Sequence, residues 1–147
     1  MPDYSKLFRG ILNNVEQCST CARLSVGALI IREGRIISTG WNGTAKGQIH
    51  CKQQFHDEQI DKQKHKEFSD RYEIHAEQNA IGFSAQNGLS TYGADLYLSI
   101  SPCIYCAKLT VAAGIKNVYY FREYDRDDNG IKFLKENNVN CEELKYD

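Results

Sequence analysis

Two short strings constrain this chain most: His75-Ala76-Glu77, and Pro102-Cys103-Ile104-Tyr105-Cys106. An H-x-E string alone arises by chance in many chains. A C-x-x-C alone serves equally as a redox pair or as half of a zinc finger. In this order, with one helix and one strand predicted between them, they supply three metal donors and a neighbouring carboxylate. Three protein ligands leave a fourth tetrahedral position open, the arrangement of catalytic rather than structural zinc. Each string opens a predicted helix, where free N–H groups and the helix dipole favour thiolate over thiol. His75, Cys103 and Cys106 are therefore the expected ligands of a catalytic zinc. Glu77 lies two residues past His75 and is better used to carry protons than to bind the metal. A redox reading of Cys103 and Cys106 leaves His75 and Glu77 without a purpose.

The hydrophobic pattern supplies a layered frame for these strings. Leu7, Ile11, Leu12 and Val15 recur on one face and predict a helix over residues 4–17. Leu24 to Ile31 and Arg35 to Trp41 are apolar, β-rich runs around Glu33-Gly34, and read as a hairpin. Residues 42–72 are polar and aperiodic, which predicts a long loop with one helical segment. A helix over 76–87, a strand from Asp95 to Ile100 and a helix from Cys103 to Ala113 follow. A strand from Val118 to Phe121, a short helix over 130–137 and a last weak strand complete the order. Strands alternating with helices after an opening hairpin imply a mixed sheet in an α/β fold.

Size and charge narrow the partners. A chain of 147 residues fits one domain, here residues 1–147, with a core that needs no disulfide staples. Eighteen basic and 19 acidic side chains give a formal net charge of -1. That balance argues against polynucleotide, which usually demands a basic excess. It leaves room for a small anionic ligand held by one or two Arg or Lys. The six cysteines follow no secretory opening, and no apolar run approaches the ~20 residues of a membrane span. Metal ligation in a reducing cytoplasm is expected rather than a disulfide framework.

The strings EIHAEQNAI (73–81) and SPCIYCAK (101–108) resemble the two zinc motifs of deoxycytidylate (dCMP) deaminases, especially the phage-encoded ones. IISTGWNGT (36–44) is similar to a third stretch of that family, which usually carries Tyr where this chain has Trp41. The resemblance runs from about residue 18 to Tyr124. It implies a cytidine deaminase-like three-layer αβα sandwich with a central five-stranded mixed sheet. It also implies a homohexameric hydrolase that converts dCMP and water to dUMP and ammonia, feeding thymidylate synthesis. Allosteric activation by dCTP and inhibition by dTTP would come with it, Mg²⁺ accompanying the triphosphate.

Further site residues rest on the same resemblance. Asn42, Arg23 and Tyr120 match substrate-binding positions, Arg23 near the substrate phosphate. Gly40, Asn42, Gly43 and Gly47 are the expected allosteric nucleotide loop, the glycines permitting close backbone approach to phosphates. Cys21, Cys51, His65 and Glu73 match the ligands of a second, structural zinc in phage members, and a closed four-ligand site would order the long polar loop. Cys18 is a competing ligand there, and Cys141 has no assigned role. The alternatives are another deaminase of the superfamily, acting on dCTP, cytidine, guanine or tRNA adenosine, or a zinc-stabilised nucleotide-binding module without catalysis. The intact Glu77 speaks against the module, because a structural site has no need of that carboxylate.

Overall fold

A computed structural model describes residues 3–55, 61–124 and 127–145. Five strands form the main sheet in the order β2-β1-β5-β6-β7. They are β1 (Gly27–Arg32), β2 (Arg35–Trp41), β5 (Asp95–Ile100), β6 (Asn117–Arg122) and β7 (Asn140–Glu143). β1 pairs antiparallel with both β2 and β5, while β5, β6 and β7 run parallel. The sheet is mixed, as expected.

β1 shows why its sequence is apolar without alternation. Gly27 to Ile31 are all buried. Ala28 and Ile30 join the core beneath helices α4 (Ala76–Gln86), α5 (Ile104–Ala112) and α6 (Asn129–Glu136). Leu29 and Ile31 point the other way, to Phe8 and Leu12 of α1 (Ser5–Val15). A strand covered on both faces reads as a continuous hydrophobic run. Three helices on one face and α1 on the other complete the αβα layering.

Glu33 and Gly34 make the β1–β2 turn with φ of 52° and 77°. Two positive φ values are what a two-residue hairpin needs for its twist to match the strands. Glu is a poor residue for that backbone, which is why the turn signal is weak in sequence.

Residues 42–72 depart from the expected loop. They contain β3 (Gly43–Thr44), α2 (Cys51–Gln54) and α3 (Lys62–Tyr72), and β3 pairs antiparallel with β4 (Glu73–Ile74). α3 escapes a periodicity argument because Phe68 is its one buried residue. Local chemistry holds it instead. The Asp61 side chain accepts from the N–H groups of Gln63 and Lys64, and Lys66 pairs with Asp70 one turn on at 2.6 Å. Cys21, Cys51 and Phe68 form a small separate core, with Ala22 and Phe55 packed on it.

α4 docks unusually close to β2. Ala76, Ala80 and Ser84, spaced four apart, turn small side chains inward. A Cβ on Gly40 would lie 2.2 Å from the Ala76 carbonyl oxygen and 2.6 Å from the Ala80 nitrogen. The Ser38 hydroxyl donates to the Ala80 carbonyl at 2.7 Å, fixing the helix along the strand. Among the described residues, no helix is long and apolar enough to cross a membrane.

Candidate active site

The two motif strings meet at the N-termini of α4 and α5. His75 caps α4 and Cys103 caps α5, each in extended conformation just before its helix. His75 Nδ1 is 3.2 Å from Cys106 Sγ and 3.6 Å from Cys103 Sγ. Tetrahedral zinc, with sulfur at about 2.3 Å and nitrogen at about 2.0 Å, sets such donor pairs roughly 3.5–3.8 Å apart. The three side chains therefore fit a zinc ion in both chemistry and spacing. The Cys106 N–H also points to Cys103 Sγ at 3.5 Å, as a helix N-terminus does toward an anion.

Electrostatics follow the geometry. Hydrogen bonding from Cys106, with His75 adding to it, lowers the Cys103 thiol to about 4. Cys106 moves the opposite way, because it shares its proton with Cys103 and is buried. The Cys103 contact raises His75. Glu77 is 4% exposed, and burial raises its carboxyl above the usual carboxylate range. Raising a carboxyl toward the working pH is how a buried acid is tuned for proton transfer.

A Cβ on Gly130 would lie 2.1 Å from the Pro102 carbonyl oxygen and 2.8 Å from that of Cys103. The start of α6 thus presses directly on the turn that carries the cysteine ligand. Gly130 carries no chemistry of its own, so no motif argument could single it out. Asn79 was likewise invisible. It lies two residues past Glu77, and its Nδ2 donates to the Trp41 carbonyl at 2.7 Å.

A second cluster joins α2, α3, β4 and the segment before β1. One donor atom from each of Cys21, Cys51, His65 and Glu73 lies within 4.8 Å of the others. Cys21 Sγ is 3.7 Å from His65 Nε2, which is 4.0 Å from Glu73 Oε1. That buried carboxylate oxygen has no hydrogen-bond partner among the described residues. Burial pushes Cys51 up to about 12 and raises Cys21 too. Two desolvated thiols, an imidazole and a buried carboxylate form a coherent zinc donor set, since a cation would satisfy the groups that burial penalises. Cys18 is exposed and outside this set, and Cys141 packs in the main core.

The remaining expected residues fall unevenly. Arg23 is exposed in the segment between Cys21 and β1. Asn42 is 8% exposed, and its amide is engaged with backbone at both ends. Tyr120 lies within β6, 6% exposed on the core face that α4 and α5 cover. Gly40 and Gly43 each have a packing reason to lack a side chain. Gly40 is small because α4 crosses it, and a Cβ on Gly43 would lie 2.5 Å from Thr20 Oγ1. Gly47 alone of the three faces open space, with φ of 88°.

A layered α/β sheet, a three-donor metal site at two helix N-termini and a buried acid beside it together define a metal-dependent hydrolase. The chain belongs to the cytidine and deoxycytidylate deaminase family, whose zinc-binding region matches residues 1–122. It is 36% identical over 147 aligned residues to deoxycytidylate deaminase of Enterobacteria phage T2, covering 79% of this chain and 78% of that protein. It is 39% identical over 132 residues to ComE operon protein 2 of Bacillus subtilis (strain 168), covering 88% of this chain. The matched chain spans 65% of that protein's length. The structure of dCMP deaminase from cyanophage S-TIM5, in complex with dCMP and dUMP, superposes with a TM-score of 0.82 at 32% identity. The match covers 98% of both chains.

Proposed function

We propose that this chain hydrolyses dCMP to dUMP and ammonia. The observation that carries the reading is the buried Glu77 beside the His75–Cys103–Cys106 trio. The likeness to phage deaminases, one of them solved with dCMP and dUMP, supports the choice of substrate. His75, Cys103 and Cys106 would hold zinc, whose Lewis acidity makes water nucleophilic near neutral pH. Glu77 takes a proton from the attacking water and delivers it to N3 of the cytosine ring. It then carries a second proton to the departing amine, which leaves C4 as ammonia while the carbonyl forms there. Burial of Glu77 favours the protonated form it must pass through between these transfers.

Arg23 fits the 5′-phosphate as an exposed guanidinium on a short, tied loop. Tyr120 and Asn42 border the substrate in this reading. Asn42 retains one N–H and one lone pair for it. The second cluster holds a structural zinc, a closed four-donor site. Regulation by dCTP and dTTP with Mg²⁺ would use the exposed turn around Gly47, at a contact between subunits of a hexamer. The reading makes the protein a single catalytic domain working in the cytoplasm, where its thiols stay reduced.

The test is ammonia release from dCMP, dCTP, deoxycytidine and CMP by the purified chain, with initial rates repeated at varied dCTP and dTTP. Turnover highest on dCMP is expected. A preference for another member of the panel reassigns the substrate within the family, and no release from any of them removes the reading.

A further inference from the structure

The loop that carries Arg23 is tied down on both sides. The Cys21 N–H donates to Ser19 Oγ and the Ala22 N–H to Cys51 Sγ, each at 3.2 Å. The Leu24 carbonyl accepts from Asn42 Nδ2 at 2.7 Å, and the Val26 N–H donates to Asn42 Oδ1 at 2.9 Å. One buried amide thus clamps both residues that flank Ser25. Asn42 is held in turn. Its own carbonyl accepts from the Thr20 N–H at 3.3 Å, and the carbonyl just before it, on Trp41, accepts from Asn79 Nδ2 at 2.7 Å.

Asn79 belongs to the same helix as Glu77. Its own N–H donates to the His75 carbonyl at 2.9 Å, inside the first turn of α4. Asn is a poor helix former because its amide competes for local backbone. Here the amide reaches across to the end of β2 instead. Gly40 and the Ser38 hydroxyl also hold α4 on β2, independently of this bond. What the Asn79 bond adds is position at the turn holding Asn42.

We infer that Asn79 is a positioning residue for substrate binding. Through the Trp41 carbonyl and the Asn42 amide, it sets where the Arg23 loop stands relative to the catalytic helix. The inference rests on the proposed role of Arg23 at the nucleotide phosphate. It distinguishes a group that aligns two parts of one substrate site from a group that only stabilises the fold.

The experiment is steady-state kinetics of the zinc-loaded protein on dCMP and deoxycytidine, for wild type, Asn79→Ala, Arg23→Ala and the double variant. Asn79→Ala is expected to raise KM for dCMP about tenfold, the worth of one neutral hydrogen bond. The kcat on dCMP should stay within about twofold, and the loss on deoxycytidine should be clearly smaller than on dCMP, since only dCMP has the phosphate contact. In the Arg23→Ala background the Asn79 effect on dCMP should shrink to that seen on deoxycytidine. Peptide-resolved hydrogen exchange gives a readout without turnover. Exchange over residues 22–26 should quicken in Asn79→Ala while β1 and β5 keep their protection. If alanine lowers the melting temperature substantially, Asn79→Ser, whose hydroxyl is too short for the reach, replaces it. An unchanged KM, equal losses on both substrates, or losses additive with Arg23→Ala overturn the inference and leave the substrate reading standing. Wild-type turnover of deoxycytidine but not dCMP overturns both.

Discussion

The two donor clusters solve different problems with nearly the same side chains. The His75 cluster is built on the ends of regular elements, each ligand segment entering a helix next to the sheet. It offers three donors and keeps a buried acid, Glu77, beside them. The Cys21 cluster gathers four donors from a short helix, a polar helix, a two-residue strand and a loop. One region has a frame and needs a metal for chemistry. The other has little frame, and two of its donors, Cys21 and Cys51, sit in the small core with Phe68 that packs it. Donor number separates them: three leave room for substrate, four close the shell.

Glu77→Gln should break the first half of the comparison most sharply. The amide matches the shape of the acid but cannot accept a proton, so turnover should fall by ~10²–10⁴-fold. Zinc content and melting temperature should stay at wild-type values, checked by elemental analysis and calorimetry. Near-normal turnover would move the proton chemistry to another group.

Cys51→Ala tests the other half. The expected result is a drop from two zinc ions per chain to one. Unfolding free energy should fall by ~3–4 kcal/mol at metal a hundred- to a thousandfold above its dissociation constant. Denaturant melts with metal titration measure it. Cys103→Ala should also lose one zinc, with a stability loss set in the same way by the metal affinity of that site. The two variants should differ in local order: Cys51→Ala should speed hydrogen exchange over α2 and α3, while Cys103→Ala leaves α4 and the sheet protected. Equal loss of protection around both clusters would mean that the clusters are not different in kind.

Gly40→Ala probes the frame itself. Its Cβ would strike the backbone of α4, so a loss of ~1–3 kcal/mol is expected by overpacking, measured in urea. No loss at Gly40 would mean that packing against α4 is not what keeps this position a glycine. The smallest effect concerns Glu33→Asn, which places a residue tolerant of positive φ in the hairpin turn. A gain of ~0.5–1 kcal/mol is expected, with activity unchanged.

The same contrast explains what could be read from sequence. The first site was legible because its donors cluster in two short strings, each at a helix start that periodicity also marks. β5 was legible to the residue, since Asp95–Ile100 is an apolar run between turns. α3 was hidden because a helix with one buried residue has no stripe, and β3 and β4 are too short to show alternation. The second donor set came from resemblance alone, its members being dispersed from Cys21 to Glu73. Gly40 and Gly43 show the limit from the other side. A glycine announces that a side chain is forbidden, but not whether a ligand or a neighbouring backbone forbids it. Asn79 and Gly130 act on main-chain atoms, which leave no trace in residue identity.

The sheet order carries a consequence for how the chain assembles. β2 reaches β1 through a two-residue turn, and β6 and β7 each join their neighbour across a single helix. The pairing of β1 with β5, from Ala28↔Leu98 to Ile31↔Asp95, is the distant one, and it unites a hairpin half with a parallel half. Everything between them must be gathered before that ladder can close, and the entropy of such a closure is met before its contacts form. Cys21 and Glu73 bracket most of that connection. A metal that joined them early would shorten the effective loop, so the ion at the second cluster would set the pace of folding as well as its endpoint.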